Sequence, residues 1–152
     1  MATKKMAIIA TKGALDMAYP PLILASTAAA LGWEVQILFS FYGLQLLRKD
    51  LSGIAISPIG NPAMPMPVVV SILPGMEAMA TSMMKAKMKK KGVASLEELR
   101  SLCQEADVKF IACQMTVDLF EFDKSDFIDG IEYGGAAMFM KFAGETDVCL
   151  FI

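Results

Sequence analysis

The run Met6-Ala-Ile-Ile-Ala10, Thr11-Lys-Gly13, a stretch from Ala14 to Leu31 closed by Gly32, and then Glu34-Val-Gln-Ile-Leu-Phe-Ser40 decides the fold. Its two outer pieces are short, continuous and apolar, as strands buried on both faces of a parallel sheet must be. The piece between them has the length of a helix, the usual crossover between parallel strands. Gly32 suits a glycine C-cap. Pro20-Pro21 lies inside the helical stretch, so regular helix is expected from about Pro20, after an irregular first turn. The 17 residues Met17–Trp33 carry no charge, the lower edge of the about 17–25 that span a membrane. The two prolines and the flanking strands favour a packed crossover helix instead.

The same alternation continues outward. A short helix is expected over Leu44–Arg48 and a candidate short strand at Ile54–Ile56. Ser57–Gly75 holds five prolines (Pro58, Pro62, Pro65, Pro67, Pro74), too dense for regular helix. Met76–Lys91 reads as a helix with Met76, Met79, Ala80 and Met83 on one face. Its end carries Lys85, Lys87, Lys89, Lys90 and Lys91, which complement the helix dipole, and Gly92 stops it. Ser95-Leu-Glu-Glu98 is a capping box opening a helix to about Ala106. Lys109–Ala112 is the next strand, with Cys113 at its end and a short helix over Gln114–Phe120. A turn at Ser125–Ile128, a strand at Ile131–Tyr133, a tight turn at Gly134-Gly135, a helix over Ala136–Ala143 and a strand at Val148–Ile152 complete the chain. Strands alternating with helices predict a three-layer α/β/α fold on a mainly parallel sheet of about five strands. Residues 1–152 read as one domain, with a Pro/Met-rich excursion at about 57–91.

Composition narrows the function. The chain has 152 residues, 55% of them hydrophobic, and 14 basic against 16 acidic side chains give a formal charge of −2. With a pI near 5.1 there is no basic footprint for nucleic acid. No histidine is present, which removes Ser-His-Asp triads, Cys-His dyads and HExxH zinc sites. The three cysteines, Cys103, Cys113 and Cys149, have no CxxC spacing, so neither a disulfide framework nor a metal site is expected. The GxGxxG and GxxxxGK[ST] phosphate loops are absent. The N-terminal apolar run Met6–Ala10 is too short for a signal peptide, and the reading is cytoplasmic. A mean hydropathy of +0.51 points to subunit contacts or a membrane-adjacent surface covering excess apolar area.

Ligands of open parallel sheets sit beyond the carboxyl ends of the strands. Here those ends are Thr11-Lys12-Gly13, Ser40-Phe-Tyr42-Gly43, Cys113-Gln114-Met115-Thr116 and Gly134-Gly135. Cys113 stands out, since a strand-to-helix junction favours a thiolate without any histidine. Lys12 adds positive charge if the first strand lies beside that of Cys113. Lys12, Gly13, Tyr42, Gln114, Met115, Thr116, Gly134 and Gly135 are the candidates to line the site. The bland reading of each cysteine is a packed small hydrophobe. It is preferred for Cys103, four residues after Leu99 on a helix, and for Cys149 inside the last strand. Seven of the 13 methionines fall between Met64 and Met88, as core filler, as an adaptable partner surface or, with the lysines of 76–91, as a peripheral membrane contact.

Leu73-Pro-Gly-Met76, Met83-Met-Lys85, Leu96-Glu-Glu-Leu99, Ala112-Cys-Gln-Met-Thr116 with Asp118, Tyr133-Gly-Gly-Ala136 and Leu150-Phe-Ile152, in this order, resemble the DsrE/DsrF/DsrH-like sulfur-relay proteins. The likeness is greatest to the DsrE-type subgroup found with rhodanese-like and TusA-like proteins. After Asp118 the chain departs from the pattern, reading Leu119-Phe-Glu-Phe122 in place of a Met-Gly pair. The resemblance implies a five-stranded parallel α/β/α fold, homo-oligomers, and a cytoplasmic carrier or sulfurtransferase. In that role Cys113 holds sulfane sulfur as a persulfide between a donor and an acceptor protein, without a cofactor. Two alternatives stay open: a non-catalytic interaction module, and a small-molecule or flavin-binding domain shaped by Gly13, Gly43 and Gly134-Gly135.

Overall fold

The computed structural model describes residues 2–57 and 72–152. Strand β1 (Lys5–Ala10) leads into helix α1 (Leu15–Ala30) and strand β2 (Glu34–Phe39), followed by a 3-10 helix over Phe41–Leu47. Helices α2 (Met76–Lys90) and α3 (Leu96–Glu105) precede β3 (Lys109–Cys113), α4 (Gln114–Leu119) and a 3-10 turn at Lys124–Asp126. Then come β4 (Glu132–Gly134), α5 (Ala136–Ala143) and β5 (Val148–Phe151). The five strands form one sheet in the order β4-β3-β2-β1-β5, every neighbouring pair parallel. The expected fold class holds.

Alternation along the strands sorts side chains into two layers. Met6, Ile8, Val35, Ile37, Phe39 and Phe110 meet Leu22 and Ala25 of α1 and Cys103 of α3 on one face. Ala7, Leu38, Ile111 and Cys113 meet Phe139 and Phe142 of α5 on the other. A helix lying along the strands is about 10–12 Å across with its side chains, whereas five strands about 4.8 Å apart are wider. This second face is therefore only partly roofed. In register with Ala7 and Ile9, Cys149 and Phe151 on the edge strand β5 share it. Cys149 is exposed and Phe151 is 73% exposed. The expectation that Cys149 is core fails because β5 is an edge strand beyond the reach of α5.

Three other expectations need correction. Helix α1 starts at Leu15 and runs through Pro20-Pro21. The two carbonyls that these prolines leave without donors, those of Asp16 and Met17, belong to an exposed and a half-buried residue that water can reach. Ile54–Ile56 is not a strand: Ala55 O accepts the first amide of α1, from Leu15, at 2.8 Å, and Ile56 N–H goes to Thr81 Oγ1 at 3.1 Å. Helix α2 buries Ala80 and Thr81 and rests Met84 and Met88 on the core, leaving Met79 and Met83 exposed. Its packed face thus follows an i, i+4 line rotated from the predicted one. Pro58, Pro62, Pro65 and Pro67, and most of the Ser57–Gly75 excursion, lie outside the described residues.

Candidate functional site

Cys113 is the last residue of β3 and the N-cap of α4. Its neighbours follow from the register. Gly134 pairs with it from β4. Phe39 pairs with Ala112, so Ser40, one step further, comes alongside Cys113 from β2. A polar corner thus closes over the sulfur. Thr116, fully buried, accepts the Phe41 N–H on Oγ1 at 3.1 Å and has Ser40 Oγ at 3.4 Å.

The chemistry of that sulfur is set by opposing effects. Cys113 is 7% exposed, and this burial pushes its thiol up. Against it stand the hydroxyl and amide of Thr116, the Ser40 hydroxyl and the Met115 amide, and the outcome is a thiol held below its ordinary range. Cys103 shows what burial does when it prevails. It is 0% exposed, its Sγ donates to Leu22 O at 3.4 Å, and its thiol is pushed up to about 11. The same residue type is an inert core filler in α3 and an ionisable group at the end of β3.

The other candidates divide. Gln114 belongs to the rim: its Nε2 donates to Asp118 Oδ1 at 2.7 Å, and its Oε1 accepts from Lys124 Nζ at 3.0 Å. Lys124 also lies 4.2 Å over the Tyr133 ring. Met115 and Tyr42 are exposed, and Tyr42 stacks on Phe120 at 5.8 Å. Lys12 is not brought to Cys113, because β2 stands between β1 and β3. It lines a separate hollow with Gly13, Met17 and Tyr42. Gly13 has a packing role: a side chain there would overlap the Tyr42 carbonyl. Gly135 is the N-cap of α5. Gly134 is part of β4 rather than a turn, and a Cβ on it would strike Met138 Sδ. That empty place beside Cys113 is where the flexible Met138 side chain lies, 37% exposed. Sequence reading assigned no role to Ser40, Met138 or Lys124, although Ser40 and Cys113 both end strands, a usable signal. Met138→Ala is expected to speed native-state alkylation of Cys113 several-fold, because access limits a buried thiol; an unchanged rate in a mass-resolved time course would count against Met138 as its cover.

Among the described residues no group of three His, Cys, Asp or Glu is placed to hold a metal, and no helix is long and apolar enough to cross a membrane.

A parallel five-stranded sheet with a lowered thiol at the end of β3, next to its β4 edge, defines a class that sequence comparison makes specific. The chain belongs to the DsrE/DsrF/DrsH-like family, whose profile matches residues 2–151. It is 65% identical, over the whole of both chains, to the sulfur carrier protein DsrE2 of Allochromatium vinosum. It is 35% identical to the uncharacterized protein YrkE of Bacillus subtilis, over 99% of this chain and 98% of that one. Among solved structures, the ychN protein from E. coli superposes with a TM-score of 0.57 at 13% identity, covering 99% of this chain and 100% of that one, which supports the fold alone.

Proposed function

We propose that the protein is a sulfur carrier that holds sulfane sulfur on Cys113 and passes it to an acceptor thiol. The observation that carries the reading is the polar corner of Thr116 and Ser40, which lowers the Cys113 thiol despite its burial. The high identity to a protein named a sulfur carrier supports it. In the loading step Cys113 thiolate attacks the outer sulfur of a donor persulfide. A new S–S bond forms, the donor's S–S bond breaks, and the donor leaves as a thiolate. In the unloading step an acceptor thiolate attacks the outer sulfur of the Cys113 persulfide, and Cys113 departs as the thiolate. A lowered thiol favours both steps, since it supplies the nucleophile at neutral pH and leaves easily. Neither step needs an oxidant or a cofactor.

Donor and acceptor proteins of rhodanese-like and TusA-like kind, and a cytoplasmic setting, belong to the same proposal. So does homo-oligomerisation, supported by the partly roofed sheet face where Phe151 is exposed and by Met140, exposed on α5. The lysine-rich end of α2, beside exposed Met79 and Met83, is where a peripheral membrane contact would form.

Incubation with thiosulfate or a persulfide donor is expected to add one sulfur, about 32 Da, removable by a reducing thiol. An intact-mass spectrum without that adduct overturns the carrier reading. The low exposure of Cys113 favours one competitor, an interaction module with an inert thiol. Native alkylation separates them: the carrier labels at Cys113 below pH 8, the inert module only after denaturation.

A further inference from the structure

Thr116 has none of its surface exposed, so its hydroxyl must find its partners within the protein. A helical threonine usually returns its proton to a carbonyl about one turn back. Thr27 of α1 does so to Ile23 O at 2.7 Å. Among the described residues Thr116 makes no such bond. Its oxygen accepts the Phe41 N–H instead, and an N–H can only donate. With that lone pair occupied, the hydroxyl proton must turn away from Phe41. Ser40 Oγ is 3.4 Å off, beyond the about 2.7–2.8 Å usual for O–H···O, so neither hydroxyl is committed to the other. The acceptor left in this corner is Cys113 Sγ, at the N-cap of α4 three residues before Thr116 and with Ser40 alongside it from β2. Phe41 sits at φ +49°, a left-handed backbone unfavourable for phenylalanine, so the surrounding fold is what aims its N–H at Thr116.

We propose that Thr116 is a catalytic residue: wired by the Phe41 N–H, its hydroxyl donates to Cys113 Sγ, with Ser40 as a second donor. This holds the sulfur as an anion before loading and again as it leaves. The inference rests on the carrier reading for its purpose but not for its test.

The test follows the pH dependence of Cys113 reacting with a chromogenic aryl disulfide, in a Cys149→Ser background. Losing a charge-assisted hydrogen bond in Thr116→Val is expected to raise the midpoint by about one pH unit. Well below both midpoints the thiolate fraction falls about tenfold, while each thiolate gains about threefold in nucleophilicity. The variant is therefore about three- to fourfold slower at low pH and about threefold faster above both midpoints, and the two profiles cross. Mere loosening of the corner gives no crossing. Thr116→Ser keeps the parent profile. An unmoved midpoint in Thr116→Val, or an equal rise in Thr116→Ser, overturns the proposal. Should Thr116→Val not fold, Ser40→Ala decides, with a rise about half as large expected and no rise overturning it. No sulfur donor enters this measurement. An unmoved midpoint in a protein that still gains sulfur sinks Thr116 alone, and a moved midpoint in one that gains none sinks the carrier reading alone.

Discussion

Cys113→Ser is expected to abolish sulfur loading while leaving the sheet intact, whereas Cys149→Ser and Cys103→Ala continue to load. The three cysteines occupy three different environments, so the outcome does not depend on there being a single thiol. Cys103 is sealed between α1 and α3 with its thiol pushed up to about 11, so at neutral pH it is neither reachable nor ionised. Cys149 is reachable but stands on an edge strand, with β1 and β2 between it and β3. Cys113 alone has hydroxyl and amide donors gathered at its sulfur. Serine keeps the shape of the corner but does not ionise in this range. The pH dependence has a defined sign. Because the folded-state thiol is lowered, loading rises with pH through a midpoint below that of a free thiol. The thiolate's contribution to stability is present above that unfolded value and lost as pH falls through the folded one, so the wild type gains on Cys113→Ser between the two. Intact-mass spectra across pH 5–9 check the loading. A fully loaded Cys113→Ser protein would overturn the assignment.

The second large effect lies at Gly43. A Cβ there would overlap the Ala10 carbonyl oxygen and stand 2.8 Å from its carbon, both of them β1 backbone. Nothing at that contact is a flexible side-chain end, so the 3-10 helix must move as a unit. Ala10 O also accepts the Ser40 N–H at 3.0 Å, and Phe41, the next residue, supplies the N–H that fixes Thr116. One methyl group therefore disturbs both the packing of the 3-10 helix on β1 and the donors around Cys113. Gly43→Ala is expected to cost about 3 kcal/mol, which lowers Tm by about 6–12 °C in a chain of this size. It also raises the midpoint of Cys113 reactivity. Gly53, where an added Cβ meets nothing within 4 Å, is the control: Gly53→Ala should stay within about 0.5 kcal/mol. Thermal unfolding of the two variants side by side gives the comparison, and equal melting temperatures would remove the steric argument.

The fold was legible because its signals are local. Unbroken apolar runs at Met6–Ala10 and Glu34–Phe39, the capping box at Ser95 and the glycines after helices each state an element within a few residues. The position of Cys113 at a strand-to-helix junction was legible for the same reason. What could not be read depends on strand order. The sheet places β2 beside β3, which brings in Ser40 and leaves Lys12 on the far side. It puts β5 at an edge, which exposes Cys149. Helix α1 starts before its prolines because proline rules concern the amide lost, and not whether water can reach the freed carbonyl.

Cys113 shares its strand's outer flank with β4, a margin of the sheet only three residues long. So short a ribbon holds few ladder bonds, and releasing it takes a small fraction of the work of unfolding the domain. A sulfur that bulk solvent barely touches can thus be uncovered by a brief lifting of its neighbour, while β1 and β2 at the centre stay shut. In the proposed carrier, fraying at that one border would reconcile guarding the thiol with delivering its sulfur.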